Sequence, residues 1–127
     1  KQSKTKVRDR WFNYLHVTCG DRTLLRRRGE GDIWQGLYEF PMIETDRAAD
    51  FSELTASEEF RTVLGGVEWR LLRSVAMPKH QLSHQTLHAV FHRIEIFSPV
   101  DFPSVPTATL GDYAVPRLIV TYSRMSL

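Results

Sequence analysis

Apolar and polar residues alternate in blocks along this chain, and the blocks predict its elements. From Val7 to Thr18 the pattern has period two. Trp11, Leu15 and Val17 fall on one face, and Phe12, Tyr14, His16 and Thr18 on the other. Apolar and aromatic residues on both faces predict a strand covered on two sides. Gly20-Asp21 follows as a tight turn, since glycine accepts positive φ without steric cost. Thr23 to Arg27 then reads as the returning strand of a hairpin.

Three glycines between Gly29 and Gly36 predict a loop. Leu37 to Ile43 reads as a short or edge strand, because Pro41 has no N–H for a ladder. Thr55-x-x-Glu58 has capping-box spacing, and the stripe Phe60, Val63, Leu64 predicts a helix that Gly65-Gly66 stops. Strands are predicted over Val67 to Met77 and Gln85 to Phe97. Three prolines make Ser98 to Asp112 an extended loop. Pro116 suits a helix N1 position, and Val115, Leu118, Ile119 and Tyr122 give that helix one apolar face. The order β-β-loop-β-α-β-β-loop-α predicts an α+β domain, a mixed sheet flanked by two helices.

Composition narrows the class. The chain has 127 residues, of which 42% are hydrophobic and 25% charged, as in a single globular domain. No apolar run approaches the roughly 20 residues of a membrane helix, and no signal-peptide core is visible. The one cysteine, Cys19, forms no internal disulfide, multi-cysteine zinc site or iron–sulfur cluster, and fits a reducing, cytoplasmic setting. Net charge is only +2. Basic residues cluster at Lys1, Lys4, Lys6, Arg8 and Arg10, and again at Arg26 to Arg28. They could meet phosphates, although a solvated surface is the plainer reading. Residues 1–7 read as a linker and 8–127 as the domain.

Histidines recur at positions 80, 84, 88 and 92, and His84-Gln85-Thr86-Leu87-His88 mimics a metalloprotease motif. Gln85 cannot serve as the base that a glutamate would be. The stretch from Leu87 to Phe97 favours a strand, on which four residues span roughly 13 Å, too far for two ligands of one ion. No metal site is expected.

Two stretches carry a resemblance. Arg26-Arg27-Arg28-Gly29-Glu30-Gly31-Asp32-Ile33-Trp34-Gln35-Gly36-Leu37-Tyr38-Glu39-Phe40-Pro41 resembles the signature early in the C-terminal domain of MutY-type adenine DNA glycosylases. His80-Gln81-Leu82-Ser83-His84 resembles that family's F-S-H loop, with Leu82 in place of phenylalanine. Tyr113 to Leu118 resembles the start of its last helix. The resemblance implies a Nudix-like fold that recognises 8-oxoguanine opposite adenine in duplex DNA. It also implies a monomeric domain without catalysis or cofactor of its own. An N-terminal catalytic domain of the same chain, joined through residues 1–7, would then hold an iron–sulfur cluster.

Leu82, Ser83 and His84 are thereby expected at the lesion, flanked by Lys79, His80 and Gln85. Arg26, Arg28 and Gln35 are possible phosphate contacts, and Trp34 reads as a loop anchor. Oxidation turns guanine N7 from an acceptor into a donor, and a serine hydroxyl can accept that hydrogen where an arginine cannot.

The alternative is a Nudix hydrolase acting on an oxidised nucleotide. Such an enzyme needs an R-E-x-x-E-E helix to hold Mg²⁺. The stretch Ala56 to Leu64 offers only Glu58-Glu59. A third class, a protein-interaction module, has no motif to support it.

Overall fold

A computed structural model describes residues 7–125; the positively charged residues expected in a linker before Val7 lie outside the described residues. The first strand, β1, runs from Arg8 to Cys19 and is the centre of the molecule. It pairs in parallel along its whole length with β8, Gln85–Ile96. Its other side takes β5 (Met42–Thr45) at one end and β2 (Arg22–Leu24) at the other, both antiparallel. Among the described residues seven strands form one sheet with the path β6-β8-β1-β2-β9, to which β5 and β7 add at the sides. Strand β6 is Trp69–Ala76, β7 His80–Gln81 and β9 Ser104–Pro106. A separate ribbon pairs β3 (Arg26–Arg27) with β4 (Tyr38–Glu39). This is the α+β mixed sheet that the sequence predicts.

The two-sided reading of β1 holds. Phe12 and Tyr14 face one apolar cluster with Leu87, Phe91 and helix α3, Arg117–Ser123. Leu15 and Val17 face the other, with Ile94, Ile96 and helices α1 (Phe51–Thr55) and α2 (Glu58–Leu64). Each side chain named from β1 and β8 is essentially inaccessible to solvent. Full burial of one such side chain contributes about 1.5–3 kcal/mol, so these two strands dominate the apolar core. On the α3 face Tyr14, Phe91 and Tyr122 stack in a column, with centroids 4.7 and 4.0 Å apart.

Several local expectations need correction. The returning strand is two pieces: at Leu25 the chain leaves the sheet's β1 side, and its N–H bonds to Pro103 O instead. Pro41 splits the next strand into β4 and β5, and its carbonyl accepts from Leu15 N–H. Thr55 does not cap a helix. It ends α1, and its hydroxyl bonds back to Ser52 O. The box forms instead at the start of α1, where Glu53 accepts the Asp50 N–H at 2.9 Å. Ser57, in extended conformation, then starts α2 by accepting the Phe60 N–H. The prolines of 98–112 do not exclude structure, since β9 and a 3₁₀ turn at Thr107–Asp112 lie within that span. Pro116 is the N-cap rather than N1. No helix among the described residues is long and apolar enough to cross a membrane.

Candidate functional site: a groove between two loops

The loop from Arg28 to Gly36 sits beside the start of β1, on the α3 face. Trp34 is held there with φ of +59°, a conformation that a bulky side chain rarely adopts. Such a residue costs about 1–3 kcal/mol, which its surroundings must supply. Its ring meets Phe12 and His80 edge-on, with centroids 6.2 and 6.3 Å away. Leu37 N–H closes the turn on Trp34 O. Gly36, at φ +81°, lies against the Arg27 guanidinium, only 3.3 Å from where a Cβ would stand.

The facing wall is the β7–β8 turn. Leu82 N–H bonds to Gln85 O, and Leu82 rests on the α3-side core. Ser83 and His84 are exposed at its tip. Ile33, Trp34, Leu82, Ser83, His84 and Gln85 thus line one open groove of about 490 Å³. Trp34 anchors its loop on Phe12, as expected, and also forms one wall of the groove. Lys79 is exposed just before this wall, and Gln35 is exposed in the opposite loop.

Charged residues fix the Trp34 loop from beneath. Arg10 makes paired bonds to Glu44 (2.8 and 2.7 Å) and to Asp32 (2.8 Å twice). Arg28 donates to Asp32, to Glu39 and to Ile33 O. Arg26 also reaches the buried Glu39. The two arginine clamps hold Asp32 well below the usual carboxylate range, the Arg10 bond contributing most. Glu44 and Asp32 likewise raise Arg10, keeping it charged.

Arg10 is buried, contrary to the solvated reading of the basic start: it shares the Phe12–Tyr14 face of β1. That parity was the available signal. Arg28 is also nearly buried, with its donors committed to protein acceptors.

The four regularly spaced histidines do not converge. His88 and His92 lie on β8, His80 on β7 and His84 in the turn. His88 stacks on Trp11 and bonds to Asp9. His92 is buried against Phe51 and bonds to Ser74. Burial holds His92 down to about 4. On the other face His16, half-buried under Phe40 and bonded to the Tyr122 hydroxyl, is held down to about 3, mainly by desolvation.

Residues 13–124 match the family model of the NUDIX domain. The chain belongs to the Nudix family. A Nudix hydrolase from M. smegmatis, RenU, superposes on the Nudix domain with TM-score 0.59 at 11% identity, over 94% of this chain and 88% of that one. A MutT structure from a study of Aliivibrio salmonicida and Vibrio cholerae gives TM-score 0.52 at 12% identity, over 91% and 94%. No curated protein matches the chain.

These matches overturn the expectation of a glycosylase fragment with no catalytic identity of its own. The matched unit is the Nudix domain itself, and proteins superposing on nearly all of it include a Nudix hydrolase.

Nudix hydrolysis implies a divalent cation held by helix carboxylates, so α2 is the place to test. Glu58 and Glu59 are exposed in its first turn, but one turn on stand Thr62 and the core residue Val63. Glu59 borders a cavity with Glu44, Asp46 and Glu53. Glu44 is committed to Arg10, and Glu53 to Arg47 and the Asp50 N–H. Among the described residues no three acidic, histidine or cysteine side chains are grouped to hold an ion. This donor set does not fit that cation.

Proposed function

We propose that this Nudix domain takes an oxidised purine nucleotide as its ligand and reads the base in the groove between Trp34 and the Leu82–Gln85 turn. The observation that carries the reading is the groove's lining. One wall is apolar and aromatic (Ile33, Trp34), and the other presents an exposed hydroxyl and imidazole (Ser83, His84) beside Leu82. A flat base fits the first wall through stacking, worth about 1–3 kcal/mol. The Ser83 hydroxyl can accept the N7 hydrogen that only the oxidised base carries. Family membership supports a nucleotide ligand, in keeping with the Nudix hydrolase reading.

A second reading places the same base within duplex DNA, as 8-oxoguanine opposite adenine in the manner of MutY-type glycosylases. The exposed Ser83-His84 tip beside the half-buried Leu82 favours it, because a protruding turn can reach a base in a helix while Lys79 and His80 approach the backbone. In that setting Leu82 is the wedge. Gln35 is the better placed of the proposed phosphate contacts, since Arg26 and Arg28 are paired with Glu39.

Titration of the protein with 8-oxo-dGTP and dGTP, with and without Mg²⁺, tests the first reading. At least tenfold tighter binding of the oxidised nucleotide is expected; equal affinities would overturn it. Product formation in the Mg²⁺ samples would mark the free nucleotide as a substrate. Duplexes with 8-oxoguanine or guanine opposite adenine, run in parallel, test the second.

A further inference from the structure

We propose that Arg10 is a positioning residue that sets the spacing of the groove's two walls, an inference that rests on the groove being the binding site. Guanidinium has five N–H donors in a rigid planar fork. Arg10 commits all five. Nε and one Nη2 hydrogen go to Glu44. The other Nη2 hydrogen and one Nη1 hydrogen go to Asp32. The remaining Nη1 hydrogen goes to Gln85 Oε1 at 3.1 Å.

The three acceptors belong to three different parts of the chain. Asp32 precedes Ile33 and Trp34, and its carboxylate also accepts the Ile33 N–H at 2.7 Å. Gln85 ends the opposite wall, where its carbonyl accepts the Leu82 N–H. Glu44 lies on β5, which is paired to β1 itself. One buried guanidinium, packed 4.8 Å over the Phe12 ring, therefore references both walls to the central strand. The fork fixes both direction and distance, so the separation of the walls follows from Arg10 rather than from either loop alone.

Lysine keeps the charge but has three donors on a single nitrogen and cannot reproduce the fork. Arg10→Lys should leave the core of β1 and β8 protected from amide hydrogen exchange. Exchange at residues 29–37 and at 80–86 should both quicken at least tenfold, and the preference for 8-oxo-dGTP over dGTP should fall at least tenfold. A residue that merely stabilises the fold would lower binding of both nucleotides together and leave their ratio alone. Folded Arg10→Lys protein with native exchange in either loop would overturn the proposal. If Arg10→Lys does not fold, Gln85→Met cuts one tie and leaves both carboxylates in place. Exchange at 80–86 at least threefold faster then supports the proposal, and unchanged exchange there overturns it. Exchange needs no ligand, so failure of the binding reading would appear separately, as wild-type protein without preference between the nucleotides.

Discussion

The two faces of the β1–β8 pair are built on different principles. On the α1–α2 face, Leu15, Val17, Ile94 and Ile96 meet Leu54, Phe60 and Leu64 in an apolar layer. On the α3 face the strands carry an aromatic column, but at the N-terminal end of β1 the layer gives way to ions. Arg10, Asp32, Glu44, Arg28 and Glu39 form a linked set there, beneath a strained Trp34. A buried ion network is a poor source of net stability, because desolvation offsets most of its attraction. What it supplies is direction. The contrast separates a face that holds the fold from a face that holds a shape, and the groove lies on the second.

The largest expected effect should fall on the first face without touching the second. Phe60 is buried against Phe51 and Trp69. Phe60→Ala should cost about 3–5 kcal/mol in urea unfolding. Nucleotide preference of the protein that remains folded should be unchanged. A collapse of that preference would show the faces to be coupled.

Acid should act on both faces alike. His16 sits on the α3 face and His92 on the other, held down to about 3 and about 4. Below pH 6.5 the unfolded chain gains protons on both imidazoles that the folded chain excludes. Stability is therefore full above pH 6.5 and is lost as pH falls toward 4. Between pH 7 and pH 5 the loss should be about 2 kcal/mol per histidine. Urea midpoints across that range check it: His16→Asn and His92→Asn should each remove about half of the slope. A slope that either variant leaves intact would mean that its ring titrates normally.

Much of this architecture was legible in the sequence for a simple reason. Strand parity in β1 and β8 reports burial directly, so Phe12, Tyr14, Leu15 and Val17 announce a strand covered on both sides. Glycines mark the Trp34 loop because its backbone needs them. What parity reports it reports for polar residues too. Arg10 shares the face of Phe12, yet it stands in a run of basic residues that resembles a solvated terminus. Its partners Asp32, Glu44 and Gln85 lie 22, 34 and 75 positions away, so no local spacing reveals them. The capping box went astray because two stretches, Asp50-x-x-Glu53 and Thr55-x-x-Glu58, fit one rule. Only tertiary packing chooses between them. The resemblance to a glycosylase domain rests on motifs in two loops, whereas the family match describes the Nudix domain that carries both.

Smaller effects sharpen the comparison. Ser83→Ala should leave stability within about 0.5 kcal/mol, since the residue is exposed. It should reduce discrimination against unmodified guanine by about 1–3 kcal/mol, measured as the ratio of Kd values. An unchanged ratio removes Ser83 from the site. On the other face Ser57→Ala should cost about 1 kcal/mol by leaving the Phe60 N–H uncapped, with the ratio constant.

The most direct measurement of the central claim is a map of amide shifts by NMR as 8-oxo-dGTP is titrated into the protein. Binding in the groove predicts the largest changes at Ile33, Trp34 and residues 82–85, with β5, α1 and α2 nearly still. Changes concentrated instead on residues 44–59, around the cavity that Glu59 borders, would contradict it and place the ligand on the helical face.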